Sequence, residues 1–134
     1  GTVTFPPATT TLVGTGTTDT LTNKRVTPRI VSSATTSVQP DANTTDQYNA
    51  AGIAGATTLY NPAGTPTDGQ KLIIRISDNN TAQSLTWQTA GYGSFRAVGV
   101  TLPTTTVANK TIYVGCIWNA LAGQWDVVAV SSQT

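Results

Sequence analysis

Residues 64–80 read GTPTDGQKLIIRISDNN, and the middle of that stretch decides the fold. Leu72, Ile74 and Ile76 fall on one face at a period of two, while Lys71, Arg75 and Ser77 fall on the other, which is the alternation of a strand with one face in a core. Pro66 and Asp68-Gly69 punctuate its start. Asp78-Asn79-Asn80 ends it with side chains that tolerate a left-handed backbone and hydrogen-bond their own chain. The stretch is therefore expected to be a core strand between two loops.

Outward toward the C-terminus, residues 81–88 alternate again, with Leu85 and Trp87 on one face and Ser84, Thr86 and Gln88 on the other. The short polar connection predicts a hairpin between this strand and the one before it. A glycine-rich loop carrying Tyr92 follows, then an extended segment over 95–102 stopped by Pro103. The end of the chain gives a second strong signal: strands over 111–119 and 124–132, joined by Ala120-Leu121-Ala122-Gly123 as a hairpin with a four-residue loop. Ile112, Val114, Cys116 and Trp118 share one face of its first strand, with Tyr113 and Ile117 on the other. In its second strand Trp125, Val127 and Ala129 oppose Val128 and Val130. Apolar residues on both faces imply that both are covered, one by a second sheet and the other by the N-terminal segment or another subunit.

Toward the N-terminus, residues 57–61 form a short strand stopped by Pro62, and residues 29–39 read as extended up to Pro40-Asp41. Residues 48–55 fit either a short strand or a helical turn, since three alanines favour helix and two glycines oppose it. Residues 1–28 differ in texture: Val3, Phe5, Leu12, Val13, Leu21 and Val26 are scattered among Thr, Gly and Pro. That is too little apolar surface to offset the entropy of ordering the segment alone. It is expected to be disordered, to lie along the main domain or to wind with copies of itself from other subunits, and its Thr-rich, β-capable composition favours the last two. Val3, Phe5, Leu12, Val13 and Leu21, together with the outward Tyr113 and Ile117, are the candidate assembly contacts.

The reading is thus one all-β domain over 29–134, an antiparallel β-sandwich of seven or eight strands in the jelly-roll or immunoglobulin-like neighbourhood, preceded by an extended segment over 1–28. Composition agrees: of 134 residues roughly a fifth are Thr, and Glu and Met are absent. A chain of this size buries enough surface to fold without metal or disulfide. Its lone cysteine, Cys116, sits in an apolar run and reads as a small buried hydrophobe. A formal charge of +1 gives no electrostatic footprint for nucleic acid or acidic lipid. No apolar run approaches the eighteen or so residues of a membrane-spanning helix. The chain starts at Gly1, as a processed protein or a piece of a longer one would.

Three stretches, TTDTLTNKRVTP at 17–28, GTPTDGQKLIIRI at 64–76 and VTLPTTT at 100–106, resemble segments that recur in structural proteins of tailed bacteriophages, namely fibre, tail and head-decoration proteins. The order of LTW at 85–87, FRAVGVTLPTTTVANK at 95–110 and the closing YVG, WNA and WDVVAV pieces from Tyr113 to Val130 is similar to a β-rich module of such proteins. The loop QTAGYGS at 88–94 is longer and richer in glycine than that pattern. The resemblance implies a non-enzymatic virion component, made in the bacterial cytoplasm, without cofactor, commonly a homotrimer, and in contact with other virion proteins.

Catalysis finds little support in a chain with no His, no Glu and six Asp. Asp41 and Asp46 lie close in sequence, but beside Pro40 and Asn43 they read as turn and cap residues rather than a glycosidase pair or, with Asn43, a calcium loop. Asn-x-Thr triplets at Asn43, Asn79 and Asn109 arise by chance in so Thr-rich a chain. Lys24, Arg25 and Arg29 form a small basic cluster expected to pair with Asp or solvent. The more serious candidate is a contact surface for host polysaccharide made of Trp87, Tyr92 and Phe95, because sugar rings stack on aromatic faces. The competing reading places Trp87 and Phe95 in the core and leaves Tyr92 alone outside.

Overall fold

The computed structural model describes residues 25–134. Nine strands run in chain order: β1 (Ile30–Ser33), β2 (Ser37–Val38), β3 (Gln47–Ile53), β4 (Thr57–Leu59), β5 (Lys71–Asp78), β6 (Leu85–Trp87), β7 (Phe95–Ala97), β8 (Thr111–Asn119) and β9 (Gln124–Ser132). The described residues contain no helix. The candidate assembly residues Val3, Phe5, Leu12, Val13 and Leu21 lie outside the described residues, as does Lys24.

The strands form two sheets, a six-stranded one in the order β1-β3-β5-β8-β9-β7 and a three-stranded one in the order β2-β4-β6. The chain alternates between them from β1 to β6, so each strand pairs with the strand two places on and all four of these pairings are parallel. A parallel pair needs a crossover, and here the crossover passes through a strand of the opposite sheet instead of a helix. Three successive turns stack in register: Ile30 beside Gln47 beside Ile73 in one sheet, and Val38 beside Leu59 beside Trp87 in the other. Asp41 and Ala63 bridge in parallel at the next corner.

These pairings correct the expectation of antiparallel sheets. Between the named strands, antiparallel pairing is limited to β5 with β8 and β8 with β9, while β7 joins β9 in parallel; Ser84 and Thr105 add one antiparallel bridge beside β6. The hairpin expected between residues 71–78 and 85–87 does not form: β5 has its antiparallel partner in β8, and β6 belongs to the other sheet beside β4. The Asp78-Asn79-Asn80 turn instead starts the crossover, with Asn80 at φ 74 and its N–H donating to Asp78 Oδ1 at 3.0 Å. Of residues 48–55, those up to Ile53 form part of β3, with a register shift between Ala50 and Ile53, so the strand reading holds over the helical turn. The extended segment expected at 95–102 shortens to β7.

Buried residues from both sheets form one core. Tyr48, Ile74 and Val114 stand side by side across β3, β5 and β8, as do Ala50, Ile76 and Ile112 one pleat further on, and all six are buried. Val38, Leu59 and Leu85 from the three-stranded sheet join the same cluster. The closing hairpin has the expected bounds and its loop at 120–123. Its second strand departs from simple alternation, because the register shifts opposite Gly115 and Cys116 and Val128 becomes the extra residue of a bulge. Ala129 is therefore turned outward and Val130 packs against the core, the reverse of the expected faces.

The two edges of the coil differ. Along the free side of β6, Leu85 N–H donates to Thr104 O and Thr106 N–H to Gln83 O, so residues 104–106 close that edge. At β1, Gln47 N–H donates to Arg29 O, so the parallel pattern turns the backbone groups of Arg29, Val31 and Ser33 toward β3. Those of Ile30 and Ser32 face outward, unpaired among the described residues.

Candidate functional site

The three aromatic residues proposed as a glycan contact do not form one surface. Phe95 is fully buried, and Trp87 meets it edge-on at 5.0 Å with an interplanar angle of 90° while donating its Nε1–H to Pro103 O. Both are bound into the end of the core, which is the competing reading made above. Tyr92 is 76% exposed and stands apart.

Its ring is held by the closing hairpin. Tyr92 packs edge-on against Trp118 at 5.4 Å, and Trp118 leans on Trp125 at the same separation, so an exposed ring is backed by two buried ones. Gly123 makes this approach available: a Cβ there would come within 2.8 Å of the Tyr92 ring, and its φ of +64 already favours glycine. The loop is stitched down rather than loose. Asn61 donates Nδ2–H to Ala90 O and Tyr92 O and its N–H to Gln88 Oε1, while Gly93 N–H donates to Gly123 O. Beside it, the hairpin loop presents Leu121 fully to solvent, and Ala120 N–H is held by Asp68 Oδ1. Asn61, Trp118 and Gly123 were not singled out by sequence reasoning; Asn61 before Pro62 and Gly123 at a hairpin corner carried only turn signals.

The acidic residues serve the scaffold. Asp41 Oδ1 accepts from Asn43 N–H at 2.9 Å, and Asn43 Oδ1 accepts from Thr65 N–H at 3.0 Å. Gly64, at φ +88, lies so close that a Cβ would meet Asp41 Oδ1 at 2.5 Å. Asp46 pairs with Arg29 through both carboxylate oxygens and also accepts the Arg29 N–H at 2.8 Å. The Arg29 side-chain and backbone hydrogen bonds hold the Asp46 carboxyl down at about 2. Asp41 thus has the turn role expected of it and Arg29 pairs with an Asp as expected, whereas Asp46 is that ion-pair partner rather than a turn or cap residue; Arg25 is exposed. Among the described residues no group of three or more His, Cys, Asp or Glu side chains is placed to hold a metal. Cys116 is buried, and burial pushes its thiol up to about 12, which removes the thiolate that reactivity needs.

The outward face of the six-stranded sheet is the other candidate surface. Tyr113 is 45% exposed, Val128 43% and Ile30 52%, with Ile73 and Ile117 half-buried between them. The expectation that both faces of the closing hairpin are covered is therefore met on the inner face alone among the described residues. No family model, curated protein or solved structure matches the chain.

Proposed function

We propose that the protein is a non-enzymatic structural component of a tailed-bacteriophage particle, a fibre or decoration protein that projects from the virion as a homotrimer and contacts other virion proteins. Its two sheets are read as the layers of a sandwich, although the parallel stacking of β1 to β6 differs from the antiparallel order of jelly-roll and immunoglobulin domains. The phage assignment rests on the resemblance of the sequence segments. The observation that supports assembly is the apolar outward face with Tyr113 and Ile117, on the side of the body where residues 25–28 join it. Light scattering on the intact chain is expected to give three times 13.9 kDa, and labelled antibody is expected to decorate purified particles. A monomer would remove the trimer, and undecorated particles the virion role.

Tyr92 favours a second reading, a receptor-binding module for host surface polysaccharide. An aromatic ring that is both 76% exposed and backed by Trp118 is pre-positioned for a sugar face. Under this reading Tyr92→Ala weakens binding to host polysaccharide in a pull-down and leaves Tm nearly unchanged. Unaltered binding would sink it.

A further inference from the structure

The loop that closes the last hairpin is flanked by two other segments. On one side, Gly69 N–H donates to Trp118 O at 3.0 Å and Asp68 Oδ1 accepts Ala120 N–H at 3.0 Å, so the Asp68-Gly69 turn is fastened to the end of β8 and the start of the loop. On the other, Gly93 N–H donates to Gly123 O at 2.8 Å, and the Tyr92 ring rests on Trp118 and lies close against Gly123. Asp68 and Tyr92 thus stand on the two flanks of one hairpin loop, whose strands are about 5 Å apart. Leu121 projects fully exposed from that loop.

Charge is sparse at this end of the molecule. Residues 61–70, 88–94 and 119–124 carry one charged side chain between them, Asp68. It is exposed, and the ion pairs among the described residues are Arg29–Asp46 and Arg96–Asp126, so its carboxylate has no cationic partner there. One of its oxygens holds Ala120 N–H, and Oδ2 accepts nothing among the described residues. Lys71, the nearest cation along the chain from Asp68, lies beside Ile117 and points outward, whereas Leu72 and Trp118 are buried. That cation is therefore turned to the opposite face of the sheet from the ring that supports Tyr92. Arg96, a few residues past Tyr92, is engaged by Asp126 through hydrogen bonds of 2.7 and 2.9 Å.

We propose that the Tyr92 end of the molecule takes an uncharged polysaccharide, with Asp68 as a second binding residue. The proposal rests on the receptor reading of Tyr92 and adds the chemical class of its ligand. A sugar ring offers C–H groups on a face and hydroxyl donors around its edge. Tyr92 takes the face, Asp68 Oδ2 accepts from hydroxyls in charge-assisted hydrogen bonds, and Leu121 lends apolar contact between them. A chain of sugars laid across the loop meets all three. A uronic acid or another anionic sugar brings a like charge toward Asp68, with no cation in the three loops to offset it, and is selected against.

The test is a pull-down titration of the full chain on beads coated with the neutral or the acidic fraction of host surface polysaccharide, separated by anion exchange. The neutral fraction is expected to capture the protein at a several-fold lower concentration than the acidic one. That gap should narrow in high salt, which screens Asp68. Asp68→Asn keeps an oxygen for Ala120 N–H and so the local structure, which an unchanged Tm confirms. It should weaken capture by the neutral fraction several-fold and relax the discrimination. Capture by the acidic fraction that equals or exceeds the neutral one, and that Tyr92→Ala abolishes, would overturn this inference and leave the receptor reading standing. So would an Asp68→Asn protein with affinity and preference unaltered. Capture by neither fraction, or capture indifferent to Tyr92→Ala, would remove both together.

Discussion

Asp78 shows how a single side chain ties distant parts of this chain together. It ends β5, and it is among the few charged groups that are nearly buried. Its Oδ1 accepts from Asn80 N–H and Asn109 N–H, and its Oδ2 accepts from Thr106 Oγ1–H at 2.7 Å. Thr106 Oγ1 in turn accepts from Gln83 N–H. Asp78→Ala would strand these donors, and denaturant unfolding is expected to show a loss of about 2–3 kcal/mol. The local half of that arrangement, a turn at residues 78–80, was legible in the sequence as Asp-Asn-Asn. The half that reaches Thr106 and Asn109 was not, because nothing in a turn signal names a partner about thirty residues away. Asp46 gives a prediction in pH. Its carboxyl is held at about 2 against an ordinary 3.8, so its contribution is fully present above pH 3.8 and is lost as the pH falls through about 2. Both side chains are a third or more exposed, which keeps the effect small. Asp46→Asn should lower Tm by a few degrees at pH 7 and make the decline between pH 4 and pH 2 shallower than in the unaltered protein.

At the scale of the element, alternation identified strands and their faces but not their neighbours. Leu72, Ile74 and Ile76 are fully buried as their spacing required, and the closing hairpin runs over the residues expected of it. Partnership was misread for β5 and β6. A polar connection between two alternating strands is the usual signature of a hairpin, yet the same residues serve equally as a corner between two sheets, and only packing distinguishes the two. The Val128 bulge is a second such limit. A one-residue shift exchanges the faces of Ala129 and Val130, and a run of small apolar residues carries no mark of it. The Tyr92 site was half legible: the exposed ring follows from a glycine-rich loop, but its support on Trp118 depends on which loop meets which hairpin. Gly123→Val tests that support. A side chain there collides with the Tyr92 ring and must hold φ at +64, so Tm should fall and the near-ultraviolet circular dichroism of the Tyr92–Trp118 pair should weaken. An unchanged spectrum would show that the ring does not rest on the hairpin.

For the whole molecule, the order of threading matters more than any one strand. Every parallel pairing of the coil joins residues separated by a crossover, and β5 meets β8 only after residues 79–110 have been laid down. Closing such long loops before any contact offsets their entropy is slow. Stopped-flow refolding of the intact chain is therefore expected on the millisecond-to-second scale or slower, and a microsecond phase that recovers the full signal would contradict it. The all-β class was legible from the chain's Thr-rich, Glu-free composition, whereas the coil was not, since its turns differ in length and share no repeated motif. One consequence follows from the unequal edges of that coil. Residues 104–106 finish the sheet beside β6, while among the described residues the backbone of Ile30 and Ser32 is unpaired and in the geometry that another parallel strand would use. Among the described residues the architecture is thus a stack that can be lengthened at one end only. A designer who wished to enlarge it would graft a new turn ahead of Arg29, where the ladder already offers its next rung, and would leave the other end as it stands.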